Sequence, residues 1–202
     1  MTIALVDYGA GNLHSVIKAF RAVGAEVQLT GTVAALSDAR AIVVPGVGNF
    51  AATGSLGPDW STAIRRSIAR GVPLLGICLG LQWLFEGSAE APGTPGLGLE
   101  PGRCFLLKGD VKVPHVGWNT LTLADRPTRL FAGVPSGASA YFTHSFAAPI
   151  VPDTMATTTH AMPFSAAIER DRVFGVQFHP EKSGQTGLTI LRNFLSIAGE
   201  VA

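Results

Sequence analysis

The sequence predicts an α/β fold in which helices layer on both sides of a mixed, mostly parallel sheet, with a β-rich C-terminal half. Three observations predict it. Before Arg103, short apolar runs alternate with stretches of helical periodicity, the pattern that builds a parallel sheet from strand and crossover units. From Arg103 onward, strand-like runs follow one another with little helical periodicity between them. The 202 residues suffice for one sizeable core and contain no linker-like segment, so residues 1–202 read as a single domain.

Residues 3–6 are a short apolar run and open the chain as a strand. After the turn residues 9–12, Leu13, Val16, Ile17, Phe20 and Val23 recur at helical spacing. Gly24 then suits a helix end, because it enters the left-handed region without a Cβ penalty. Residues 27–30 and 41–44 read as the second and third strands. Trp60, Ala63, Ile64, Ser67 and Ile68 mark a helix ending at Gly71, and residues 72–77 form a buried strand. The later strand-like runs are 104–107, 116–121, 140–146, 164–170 and 173–178, with Asp171-Arg172 as a tight turn between the last two. Leu188, Leu191, Phe194, Leu195 and Ala198 supply a closing amphipathic helix.

Charge excludes some classes of partner. Fifteen Lys and Arg against 14 Asp and Glu leave a net charge of +1, so no broad field recommends nucleic acid or an anionic membrane. A charged fraction of 14%, against about a quarter in ordinary domains, leaves a weakly polar surface that a protein partner would cover. The uncharged run 71–85 is too short and too broken by Pro73, Gly76 and Gly80 to span a bilayer. The N-terminus lacks a basic leader and cleavage site, and Cys78 and Cys104 are the only cysteines, so we expect a cytoplasmic protein with free thiols.

The chemistry starts at Gly76-Ile77-Cys78-Leu79-Gly80, a nucleophile flanked by glycines where a buried strand meets a helix. A sharp turn there needs small neighbours, and the helix start favours thiolate over thiol. The motif alone is read more readily as a buried structural cysteine flanked by packing glycines, so a base must be found. His179-Pro180-Glu181 offers one. In extended geometry residues two apart share a side, so Glu181 can orient His179 while Pro180 fixes the backbone between them. Pro45-Gly46-Val47-Gly48, after the third strand, is a candidate oxyanion loop or a plain strand-ending turn. His14, His115, His144 and His160 are scattered without metal-ligand spacing, so no metal and no cofactor are expected.

With these pieces in order, the chain resembles the class I glutamine amidotransferase family nearly end to end, and within it the glutaminase subunits of imidazole glycerol phosphate synthase. Segments 7–13, 45–48, 76–82, 112–119, 141–146 and 175–183 carry the likeness. The resemblance implies a three-layer, flavodoxin-like fold and hydrolysis of L-glutamine through a Cys78 thioester, with His179 and Glu181 completing the triad. It implies that Val47 and Leu79 give backbone N–H groups to the oxyanion, and that Gly48, Gln82, Glu90, Ser145 and Phe146 hold the glutamine. It further implies that Trp118, Tyr141 and Lys182 meet a TIM-barrel cyclase, which takes the ammonia in a heterodimer and makes imidazole glycerol phosphate and AICAR in histidine biosynthesis. Trp118 and Tyr141 also lie in strand-like runs where large rings are commonly core, Lys182 can be simply solvated, and Glu90 lies in a loop where carboxylates usually face solvent. The stretch 49–59 departs from the family's usual continuation, as does Ala89, where an acidic residue is common.

Rival readings are a glutaminase subunit of another amidotransferase, a different cysteine hydrolase with an open groove, a dinucleotide-binding module and a non-catalytic adaptor. The dinucleotide reading fails at His14, where the third glycine of the fingerprint should stand. The adaptor reading predicts a lost nucleophile or base, and both are present.

Overall fold

The computed structural model describes residues 2–200. In chain order the elements are β1 (Thr2–Val6), α1 (Leu13–Ala22), β2 (Glu26–Thr30), β3 (Ala41–Val44), α2 (Pro58–Ala69), β4 (Leu74–Ile77) and α3 (Leu79–Trp83). The β-rich half follows with β5 (Gly87–Ser88), β6 (Arg103–Leu106), β7 (His115–Thr120), β8 (Thr122–Leu123), β9 (Ser139–His144) and β10 (Phe146–Ala147). It closes with β11 (Thr154–His160), β12 (Met162–Arg170), β13 (Val173–Val176) and α4 (Gly184–Gly199).

Eight strands form the central sheet in the order β2-β1-β3-β4-β13-β12-β11-β8. The pairings from β2 across to β13 are parallel, and those from β13 to β8 are antiparallel. Side chains alternate across the strands, so each central strand feeds two cores. Ile3, Leu5, Val43, Leu75 and Ile77 pack with Phe20 of α1 and Phe194 of α4 on one face. Ala4, Val6, Ile42, Val44 and Leu74 pack with Ile64 of α2 and Leu81 and Trp83 of α3 on the other. Strands buried on both faces read as unbroken apolar runs, which is why residues 3–6, 41–44 and 72–77 stand out in the sequence. This is the expected three-layer architecture. Asn12 caps α1 by accepting from Ser15 N–H, and Pro58 with Asp59 opens α2.

Two departures from the sequence reading matter. The first is β11, whose Thr-rich run from Thr154 to His160 has no apolar alternation and so no strand signal; its partner β12 supplies the order through a long antiparallel pairing. The run 173–178 stops being strand at Val176, which frees residues 177–179 to turn across the end of the sheet. The stretch 49–59 winds into a 3₁₀ turn, Phe50–Ser55, whose start Asn49 caps. Among the described residues, no helix is long and apolar enough to cross a membrane.

Candidate active site

Cys78 sits on the turn between β4 and α3 with φ 54° and ψ −106°, a conformation that costs an ordinary residue energy. The turn is held because Cys78 N–H donates to Val176 O at 2.8 Å. The flanking glycines are forced by space. A Cβ on Gly76 would lie 2.5 Å from Gly80 O, and one on Gly80 would lie 1.9 Å from Val44 O. No other residue lets strand, turn and helix approach this closely.

β13 runs parallel to β4, so the chain leaving it reaches the same sheet end as Cys78. His179 N–H donates to Tyr141 O at 2.9 Å, and His179 Nδ1 bonds Glu181 Oε1 at 2.8 Å. Both side chains are almost wholly buried. The reason for their meeting is not an extended strand: Pro180–Lys182 is a 3₁₀ turn, and the carboxylate reaches back to the ring. Burial by itself lowers the imidazole pKa, but hydrogen bonds and charge from Cys78 and Glu181 outweigh it and raise His179 to about 10. Nε2 is buried and has no hydrogen-bond partner, and the influence of Cys78 on the ring's pKa places the sulfur in its neighbourhood.

A pocket of about 230 Å³ opens above the sulfur. Its lining contains Val47, Gly48, Leu79, Gln82, Glu90, Ser145 and Phe146, so every residue assigned to the oxyanion or the glutamine comes together around Cys78. Glu90 is half-buried rather than free in solvent, and its Oε2 accepts from Phe50 N–H at 2.7 Å, tying the loop after Gly48 to the pocket rim. Gln82 Nε2 donates to Phe146 O at 2.7 Å and to Gln177 Oε1 at 3.1 Å, while Gln82 Oε1 is buried without a partner.

The oxyanion loop differs from expectation. Leu79 N–H donates to Gly46 O at 3.4 Å, so the Gly46–Val47 peptide presents its oxygen where Val47 N–H was expected. Tyr8, whose hydroxyl donates to Pro45 O at 2.8 Å, holds this arrangement from behind. Burial, with the charge of Cys78 second, pushes its phenol well above the usual tyrosine range. The segment 7–13 carried the resemblance, yet only the fold reveals that Tyr8 backs the loop.

Three of the four histidines outside the triad, His115, His144 and His160, are not scattered. His115 Nδ1 bonds His144 Nε2 at 3.1 Å, and the rings of His115 and His160 stack at 4.2 Å. Asn119 Nδ2 lies 3.2 Å from His115 Nε2, and His144 Nδ1 lies 3.0 Å from Phe146 O. Since a carbonyl only accepts and an amide nitrogen only donates, one set of tautomers satisfies the whole chain with neutral rings. Burial lowers His115 to about 4 and His144 to about 3, with neighbouring histidines adding to the effect. Among the described residues, no group of three His, Cys, Asp or Glu is placed to hold a metal.

Trp118 and Tyr141 are opposite one another on β7 and β9, with rings 6.0 Å apart, and Lys182 Nζ stands 5.8 Å above the Tyr141 ring. Trp118 is 58% exposed, so it is a surface ring and no part of the core. Val116, two residues earlier on the same face, is also exposed.

Residues 4–198 match the family model described as Glutamine amidotransferase class-I. The chain is 46% identical to the imidazole glycerol phosphate synthase subunit HisH of Moorella thermoacetica over 95% of its own length and 93% of that protein. It is 43% identical to the subunit of the same name from Methanothermobacter thermautotrophicus over 96% of its own length and 98% of that protein. Among solved structures, a crystal structure of a glutamine amidotransferase superposes with a TM-score of 0.75 at 17% identity, covering 97% of this chain and 98% of that one. PurLQS from Thermotoga maritima gives 0.75 at 20% identity, covering 96% and 97%.

Proposed function

The chain belongs to the class I glutamine amidotransferase family, among the imidazole glycerol phosphate synthase subunits HisH, and from that membership we propose a glutaminase with Cys78 as nucleophile and His179 and Glu181 as its acid–base pair. The observation that carries this reading is the bond of 2.8 Å from His179 Nδ1 to Glu181, which leaves the other ring nitrogen for the Cys78 sulfur at the floor of a pocket.

The Cys78 thiolate attacks the side-chain carbonyl carbon of L-glutamine. The proton on His179 passes to the departing nitrogen, so ammonia leaves and a glutamyl thioester remains. Water then adds to the thioester while His179 takes its proton, and collapse expels the thiolate and releases glutamate. Glu181 keeps Nδ1 protonated throughout and stabilises the imidazolium. Glu90, in the pocket lining, faces the substrate ammonium. A pocket of about 230 Å³ suits an amino acid better than a peptide, which favours glutaminase over another cysteine hydrolase.

Stabilising the oxyanion requires the Gly46–Val47 peptide to turn over, withdrawing the Gly46 carbonyl from Leu79 N–H and replacing it with Val47 N–H. That rearrangement is the natural step for a partner to control. The ammonia passes to a separate cyclase, a TIM barrel in this reading, docked on the face of Trp118, Tyr141 and Lys182, and the pair works in the cytoplasm. In the complex, Cys78→Ala is expected to abolish product formation from glutamine and leave formation from free ammonium intact. Equal loss with both nitrogen sources would sink the assignment.

A further inference from the structure

The triad leaves one group at the sulfur unexplained. Gln177 is fully buried, lies two residues before His179, and directs its side-chain Nε2 at Cys78 Sγ across 3.6 Å. We propose that Gln177 is a catalytic residue whose carboxamide N–H hydrogen-bonds the Cys78 sulfur and holds it as a thiolate. The inference rests on Cys78 being the nucleophile.

The orientation of that amide is fixed by its neighbours. The Phe146 carbonyl can only accept, so the Gln82 atom facing it at 2.7 Å is the amide nitrogen. The same nitrogen faces the next side chain at 3.1 Å, which must therefore present its oxygen there. Gln177 Oε1 is thereby turned toward Gln82, and Nε2 with its hydrogens is left for the sulfur. Its backbone is equally fixed, since Gln177 N–H donates to Ala166 O at 2.8 Å.

The groups around the sulfur divide into those that favour the anion and those that oppose it. His179, charged when the sulfur is charged, favours it, as does the start of α3. Thr143 O, 3.9 Å away, can accept from a thiol but opposes a thiolate with the negative end of its dipole. The Tyr8 hydroxyl is kept neutral by its burial first and by the charge of the sulfur second, while Glu90 and neutral His144 line the pocket. Among these, Gln177 is the uncharged donor that stays in place whether or not His179 has given up its proton. It can therefore support the thiolate both before attack and when the thioester collapses.

The test is the pH dependence of Cys78 alkylation by iodoacetamide in the full-length chain. Cys104 does not compete, because it is buried and its thiol is pushed upward by burial. Gln177→Met, which keeps the shape and removes the donor, is expected to raise the alkylation midpoint by about one pH unit, or about tenfold less thiolate below it. Gln177→Glu, which places a carboxylate at the sulfur, is expected to raise it further, with the high-pH plateau rate unchanged in both. A Gln177→Met midpoint equal to the wild type overturns the proposal and reduces Gln177 to packing. Should neither variant fold, the wild-type chain labelled with ¹⁵N-glutamine decides: alkylating Cys78 must displace the Gln177 side-chain amide proton signals, and unmoved signals overturn it. Failure of the nucleophile assignment shows separately, as glutamate release by Cys78→Ala.

Discussion

Gly80→Ala adds one methyl group at the tightest point of the site. The new Cβ would lie 1.9 Å from Val44 O and 2.8 Å from Val44 C, both backbone atoms of a central strand. Real Cβ atoms essentially never approach closer than 3.0 Å, so α3 must move by about 1.1 Å relative to β3. A side chain could swing away, but a backbone carbonyl paired in a buried parallel sheet cannot. Overpacking of this kind costs about 1–3 kcal/mol. For a chain of this size each kcal/mol is worth about 2–4 °C, so the melting temperature should fall by roughly 2–12 °C. The same movement carries Cys78 and Leu79 N–H out of line with His179, and a displacement of about 1 Å costs on the order of a hundredfold in rate. The assay is glutamate release from glutamine in the complex, alongside a thermal melt of the variant. Gly93→Ala is the control, because a Cβ there meets nothing within 4 Å, and it should leave both readouts near wild type. A Gly80→Ala enzyme with unchanged melting and turnover would refute the steric account of the turn.

Stability should be greatest near neutral pH, for two opposed reasons. His179, raised to about 10, contributes stability that is complete below its unfolded pKa of 6.5 and is lost as pH rises toward 10. His115 and His144, lowered to about 4 and about 3, stay neutral in the fold, so stability falls as pH drops below 6.5, by up to about 1.4 kcal/mol per pH unit for each ring. Urea midpoints that stay flat from pH 6.5 to 5, above the range where ordinary carboxylates titrate, would contradict the neutral chain of histidines. Trp118→Ala should weaken association with the cyclase by at least tenfold, on the order expected of an exposed aromatic anchor, while moving the melting temperature of the free chain little. Titration calorimetry showing wild-type affinity would remove Trp118 from the interface.

Much of this protein was legible before any coordinate. Two-sided burial writes itself as unbroken apolar runs, so β1, β3 and β4 were visible, and the glycines about Cys78 announced a turn that nothing larger could make. The order of nucleophile, histidine and glutamate along the chain specified the family. The sequence pointed to Glu181 beside His179, and the two do bond, although through a 3₁₀ turn and not along an extended strand. What it could not contain was anything decided by residues far apart in the chain. That Tyr8 backs Pro45, that Gly46 O occupies Leu79 N–H, and that Gln177 points at Cys78 all depend on β1, β3, β4 and β13 standing side by side. The histidines at 115, 144 and 160 show no ligand-like spacing, yet the pairing of β7 with β9 puts two of them in hydrogen-bond contact and β11 brings the third against them. Local propensity and hydrophobic period act within a few residues and can be read from one chain. Hydrogen-bond direction in a buried site is settled only when the sheet's strand order fixes which donor faces which acceptor.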